Sequence, residues 1–246
     1  MMIAALPYFP LGMAVGALSA MIFRVIPVSW LLDYGETDAT AAGKAQRDFT
    51  FFPGMLILML IDGLLFWCGR QYIGLQPRLP IILYITQPLL LIILSDLKTR
   101  IIPDQFILAL LPGSLLLWLS EGLSGTQAWG SGILKRILAA LLAGLLLWGC
   151  GWLASRLLKR EAMGMGDVKL LAACAFITGL GDLPFLFILS FVSAAFVALP
   201  LLISRLWRPA SPEIAFGPYI VLATLLLLYF NDFIQHAWQT YLALLP

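Results

Sequence analysis

Apolar runs of membrane-crossing length recur along almost the whole chain, and the short stretches between them hold most of the charged residues. A helix needs roughly 17 to 25 predominantly apolar residues to cross about 30 Å of hydrocarbon. Measured against that length, spans are predicted near residues 8–27, 51–69, 79–95, 105–120, 134–155, 166–181, 183–204 and 214–231. Hydrocarbon leaves every backbone amide to be satisfied inside the chain, so the expected fold is all-α, a polytopic bundle of about eight helices. The sizeable polar stretch is 28–49, which carries Asp33, Glu36, Asp38, Lys44 and Arg47. Gly122 to Gly132 reads as a loop, and Trp207 to Pro212 as a turn that breaks any continuous helix. Phe233 to Pro246 has too few apolar positions for a further span and reads as an interfacial tail anchored by Trp238 and Tyr241.

Composition sharpens this picture. With 61% hydrophobic and 11% charged residues and a mean hydropathy of +0.97, the chain is excluded from the class of water-soluble globules. The first ten residues lack a basic segment, and the apolar run after them leads to Arg24 rather than to a small-residue cleavage site, so it is expected to stay as the first span. The net charge of +2 is spread over many short connections, a pattern that gives no footprint for nucleic acid. Its distribution says more than its sum. Arg24, Lys44, Arg47, Lys98, Arg100, Arg156, Lys159, Arg160, Lys169, Arg205 and Arg208 lie in the odd-numbered connections, against Arg70, Arg78, Lys135 and Arg136 elsewhere. Eleven basic residues against four place the odd connections in the cytoplasm and both termini on the other side.

Two acidic residues then stand out. Asp96 closes the third predicted span and Asp167 opens the sixth, so both fall at the cytoplasmic face. A carboxylate is costly beside hydrocarbon, and two of them at one face mark a functional site. Held close together they cannot both ionise easily and share one proton, an arrangement that activates water for attack on an amide. Each alone also fits a helix end, with Asp96 paired to Lys98 or Arg100 and Asp167 as a cap; their joint placement favours the catalytic pair. Gly164 and Gly166 flank Met165, where they let the backbone turn and make room beside Asp167. Lys169 reads as a side chain snorkelling to the interface. Pro103 and Asp104 open the next helix, with Asp104 suited to capping it.

Other chemistry-bearing residues carry less. Asp62 lies inside the second span, where an isolated acid is expected to face the bundle and pair with a polar partner; contact with a substrate amine is the alternative. The acids of the 28–49 stretch are read as a solvated loop, with attraction of a basic peptide as the alternative. Arg160 and Glu161 read as a surface pair, and His236, the sole histidine, lies in the tail away from the two aspartates. Cys68, Cys150 and Cys174 are scattered through apolar runs without a Cys-x-x-Cys pair and read as core thiols.

These motifs resemble the type IV prepilin peptidases, within the GxGD intramembrane aspartyl proteases. The resemblance rests on Asp96 six residues before Ile102-Pro103-Asp104, on Glu161-Ala162-Met163-Gly164-Met165-Gly166-Asp167-Val168-Lys169-Leu170, and on Phe216-Gly217-Pro218 near the last span. Gly12 to Ala17 with Arg24 and Pro27 is similar to the family's glycine-rich first span, with Ala20 where asparagine is usual. The likeness is strong over 80–231 and weak before it. It implies Asp96 and Asp167 as catalytic residues, Phe216, Gly217 and Pro218 beside the active site, and no cofactor for proteolysis. It also implies prepilin or pseudopilin substrates, membrane lipid as surroundings, and the bacterial inner membrane as location.

On this resemblance the chain divides into a two-helix region, 1–78, and a six-helix peptidase core, 79–246. Many family members carry two Cys-x-x-Cys pairs between spans one and two, associated with zinc and with methylation by S-adenosylmethionine. Here that connection has no cysteine, so no zinc is expected, and methylation is left as an open second activity. A proton-coupled transporter is the competing class, weakened by the lack of an inverted repeat. Presenilin-like and signal-peptide-peptidase-like proteases share only Gly-x-Gly-Asp, and place the first aspartate in a Tyr-Asp pair, where this chain has Ser95.

Overall fold

The computed structural model describes residues 5–32, 40–49, 51–125, 129–159, 163–205 and 215–244. These form nine α-helices: α1 (Tyr8–Val25), α2 (Thr40–Arg47), α3 (Leu56–Cys68), α4 (Arg78–Thr99), α5 (Asp104–Leu123), α6 (Trp129–Leu158), α7 (Met165–Thr178), α8 (Leu183–Arg205) and α9 (Gly217–Ala243). Among the described residues there is no strand, and the chain is a polytopic helical bundle, as its hydropathy demands. The loop acids Asp33, Glu36 and Asp38, the Arg160–Glu161 pair and the turn at Trp207 to Pro212 lie outside the described residues.

Lipid gives helices little hydrophobic reason to associate, so small residues that let backbones approach decide who packs with whom. Gly12 and Gly16 form one such stripe on α1. A Cβ at Gly12 would stand 2.6 Å from the Asp62 carbonyl oxygen, and one at Gly16 would stand 2.9 Å from Met59 Cα. Gly63 answers from α3, where a Cβ would meet Met13 Cγ at 2.9 Å. The two helices therefore pack as a tight pair, to which α2 is tied by Gln46, whose amide donates to the carbonyls of Phe23 and Ile26, both at 3.0 Å.

The remaining helices build the second body of packing around α4, which buries Ile85, Leu89 and Ile92 completely. α5 and α9 lie against it, and α7 is enclosed by α5, α6 and α9, with Leu170, Leu171, Cys174 and Ala175 fully buried.

Among the described residues seven helical stretches are long and apolar enough to cross a membrane, one fewer than the spans expected from sequence. The difference is α7. The predicted span at 166–181 is a helix of 14 residues, preceded by Gly164 and stopped at Gly179, whose φ of 88° ends the helical path. At 1.5 Å per residue it is about 21 Å long, short of the hydrocarbon thickness. The tail also differs: after a bend at Phe230 (φ −128°, ψ 23°), α9 continues to Ala243 with Phe233, Trp238 and Tyr241 exposed. The predicted loop at 122–132 is shorter than expected, since α5 runs to Leu123 and α6 starts at Trp129.

Candidate active site

Asp96 sits on the last turn of α4, and the chain folds back sharply behind it. The Arg100 amide donates to the Asp96 carbonyl at 2.9 Å. Arg100 itself adopts a left-handed φ of 59° that closes α4. Ser95 Oγ donates to the Ile101 carbonyl at 2.6 Å. This hairpin delivers Ile102 into the interior and Pro103, in extended conformation, to the start of α5.

Two segments converge on Ile102. A Cβ at Gly166 would lie 3.3 Å from Ile102 Cβ, and a Cβ at Gly217 would lie 3.0 Å from Ile102 Cδ1. The same Gly217 Cβ would lie 2.5 Å from Asp96 Oδ2, so only glycine fits there. The backbone amide of Gly217 donates to the Asp96 carboxylate. Oδ2 of this buried residue, 4% exposed, has no hydrogen-bond partner of its own. Phe216 and Pro218 set the approach: Phe216 packs on Phe191 with ring centroids 5.2 Å apart, and Pro218 stands in the first turn of α9.

Asp167 lies in the first turn of α7, half-buried, close enough to Asp96 for the two carboxyl groups to interact electrostatically. The backbone enters α7 without a left-handed residue. Gly164 has φ −77° and ψ 147°, open to any residue, and a Cβ there would come no nearer than 3.9 Å to Asp167 Oδ2. What the glycines give this site is space at Gly166 for Ile102 rather than a tight turn. Pro103 is the residue that precedes the helix, and Asp104 stands in its first turn. Asp104 pairs with Lys169, whose Nζ lies 2.9 and 2.8 Å from the two carboxylate oxygens, bolting the start of α7 to the start of α5.

Asp62 is fully buried and does face the bundle, away from this group of residues. Gln87 Nε2 donates to its Oδ1 at 3.1 Å, and Ser19 Oγ donates to Gln87 Oε1 at 2.8 Å, one polar thread across α1, α3 and α4.

Sequence reasoning missed a second polar cluster. Arg136 reads from sequence as a loop charge, yet it lies within α6, 3% exposed. It donates to the Phe176 and Ile177 carbonyls at the end of α7 and binds both oxygens of Glu121, at 2.8 and 2.7 Å. Asp182 beside them accepts from Asn231 and Gln235. Burial raises the Asp182 carboxyl above its ordinary range, with those two hydrogen bonds opposing. The available signal was the pairing of Glu121 with Arg136, the acid and the base that flank one connection.

Among the described residues no three His, Cys, Asp or Glu gather as metal ligands, and the three cysteines lie on separate helices, one exposed, one half-buried and one buried. The residues present do not fit a thiolate zinc centre.

Helix packing and site together define a polytopic membrane protein with two interacting aspartates at the ends of buried helices. Residues 82–199 match the model of the type IV leader peptidase family. The chain is similar to the prepilin leader peptidase/N-methyltransferase of Aeromonas hydrophila, 34% identical over 64% of this chain and 52% of that protein. Proteins of the same name match from Stutzerimonas stutzeri, at 28% over 83% of this chain and 66% of the relative, and Pseudomonas aeruginosa, at 29% over 86% and 68%. The chain spans about half the length of the first of these relatives. No solved structure matches it significantly.

Proposed function

We propose that this protein is an intramembrane aspartyl endopeptidase that removes the leader of type IV prepilins or pseudopilins at the cytoplasmic face of the bacterial inner membrane. The observation that carries it is the meeting of three helix ends, where Gly217 packs on the Asp96 carboxylate, Gly166 and Gly217 both pack on Ile102, and Asp167 lies close enough to Asp96 to interact with it. Proximity makes the two aspartates share one proton. The ionised partner takes a proton from water as the water oxygen bonds to the scissile carbonyl carbon, and the protonated partner gives its proton to the carbonyl oxygen. The roles then reverse: the C–N bond breaks, the nitrogen leaves with a proton, and the pair returns to its starting state.

Asp96 and Asp167 are the catalytic residues in this reading. Gly217 holds Asp96, Gly166 admits Ile102, and the Lys169–Asp104 pair fixes the start of α7. Gly164, Pro103, Phe216 and Pro218 support the surrounding backbone. With α7 counted as a short eighth crossing beside the seven membrane-length helices, both termini fall on the non-cytoplasmic side, a topology supported by the basic connections. The relatives' name also includes N-methyltransferase. A methyl group would come from S-adenosylmethionine, bound without a cysteine-held zinc.

The test is processing of a type IV prepilin in liposomes by the natural chain, by Asp96→Asn and by Asp167→Asn, with mass spectrometry of the product in the presence of S-adenosylmethionine. Both variants should insert normally and cleave nothing; normal cleavage by either one ends the proposal. A product heavier by one methylene shows methylation, and an unshifted product makes this a peptidase alone.

A further inference from the structure

An apolar groove of about 350 Å³ runs between α3, α4 and α9. Ile61, Leu94, Leu97, Leu222, Leu226 and Phe230 are among its walls. Its upper end lies along the last turn of α4, which carries Asp96, and the first turns of α9, which begins at Gly217. Leu97 is the neighbour of Asp96, and Leu222 stands five residues beyond Gly217, about 7.5 Å along α9. From there the walls descend along α4 and α9 for about 10 Å, until Phe230, at the bend of α9, forms the far end.

We infer that this groove seats the apolar helix of the substrate, a reading that rests on the function proposed above. A bond cleaved just ahead of an apolar segment fixes the path of that segment. With the bond at Asp96, the next residues must leave the dyad and enter hydrocarbon, and the groove begins there and is apolar along its length. Ile102 and Gly217 pack against the Asp96 carboxylate and fill the space there. The groove also stays open for a structural reason. α3 packs tightly on α1, while its contact with α4 is held by the Ser19–Gln87–Asp62 thread. That thread sets a spacing at which the α1–α3 pair flanks the core without collapsing on it. Leu97, Ile61 and Leu222 remain 64%, 42% and 44% exposed, which leaves the groove open sideways to lipid, the direction from which a membrane helix arrives.

The experiment is photocrosslinking in liposomes. Benzoylphenylalanine replaces Leu226 in full-length protein carrying Asp167→Asn, a type IV prepilin with its leader is added, and Leu145, on the lipid-exposed face of α6, serves as the control position. The Leu226 probe should capture the prepilin at least about tenfold better than the Leu145 probe, with the adduct mapped to its apolar segment. Equal capture at the two positions, or only lipid adducts at Leu226 under saturating prepilin, overturns the inference. Kinetics give a second measurement that requires no trapped complex. Leu94→Trp, which fills the groove, should raise KM about tenfold with kcat within about twofold; an unchanged KM overturns it too. Failure of the underlying function looks different, since the natural chain would then cleave no prepilin at all.

Discussion

If the proposed function holds, adding a single methyl group at Gly217 should nearly abolish prepilin cleavage while leaving the protein folded. The Cβ of Gly217→Ala would stand 2.5 Å from Asp96 Oδ2 and 3.0 Å from Ile102 Cδ1. Carbon and oxygen tolerate no such approach, so Asp96, Ile102 or the start of α9 must retreat by about 0.5–1 Å to restore ordinary packing. Asp96 is buried and receives the amide of this same residue, so the retreat also breaks the donor's aim. Overpacking of this kind costs about 1–3 kcal/mol of stability. A misplacement of about 1 Å at a reacting group costs about a hundredfold in rate. Single-turnover prepilin cleavage in liposomes, normalised to correctly inserted protein, should therefore fall about a hundredfold with KM nearly unchanged.

The other two glycines calibrate the effect. Gly166→Ala meets Ile102 Cβ at 3.3 Å, which a small shift relieves, and should cost about three- to tenfold. Gly164→Ala meets nothing nearer than 3.9 Å in a conformation open to alanine and should stay within about twofold. A Gly217→Ala variant as active as Gly164→Ala would refute the argument that glycine is kept at 217 for the carboxylate.

Three more outcomes rest on the polar contacts. Arg136→Ala strands Glu121 and two carbonyls at the end of α7, and should lower thermal stability in detergent by about 3–5 kcal/mol; a melt within a degree of the natural chain would count against the buried pairing. Asp104→Asn removes an ion pair whose two side chains are each 41% exposed, so its stability loss should stay below about 1 kcal/mol, visible as a small melt shift. Asp62→Asn preserves an acceptor for Gln87 and should insert and melt almost normally, whereas Asp62→Leu removes that acceptor, leaves Gln87 Nε2 only the Leu83 carbonyl, and should lose about 1–3 kcal/mol. Equal melts for the two would mean that the thread carries no stability.

Much of this organisation is legible in the chain because membrane burial leaves a plain signature. Seven of the eight expected segments are membrane-length helices, and the two aspartates stand out by their joint placement at one face, since each alone fits an ordinary helix end. The hidden part depends on three-dimensional reach. Periodicity identifies Gly217 as part of a helix start, but the space it keeps free is claimed by Asp96, 121 residues earlier. Ile102 reads as an apolar residue before a proline, and its place between two glycines of distant segments exists only after folding. Lys169 and Asp104 each have an ordinary local explanation, snorkelling and capping, and neither explanation points to the partner 65 residues away. Arg136 is misread because hydropathy treats a charge near a span end as a loop charge, whereas α6 extends past it and buries it.

The shortness of α7 bears directly on how water reaches a bond in the membrane. The helix is held by charge at both ends, through Lys169 and Asp104 at one and Arg136 and Glu121 at the other. Lys169 and Ile177, whose carbonyl receives Arg136, are eight residues apart, about 12 Å along the helix against about 30 Å of hydrocarbon. Polar groups this close together draw the two aqueous boundaries inward, since bilayer thinning and snorkelling cost only fractions of a kcal/mol per Å of mismatch. Water then meets Asp167 at the depth where a substrate's apolar segment begins, and a thicker bilayer should oppose that. Prepilin cleavage in dimyristoleoyl phosphatidylcholine should accordingly exceed that in dierucoyl phosphatidylcholine by about fivefold or more, with KM expressed per lipid area held constant. Equal rates in thin and thick bilayers would refute this account of α7 and leave its length as a packing feature of the bundle.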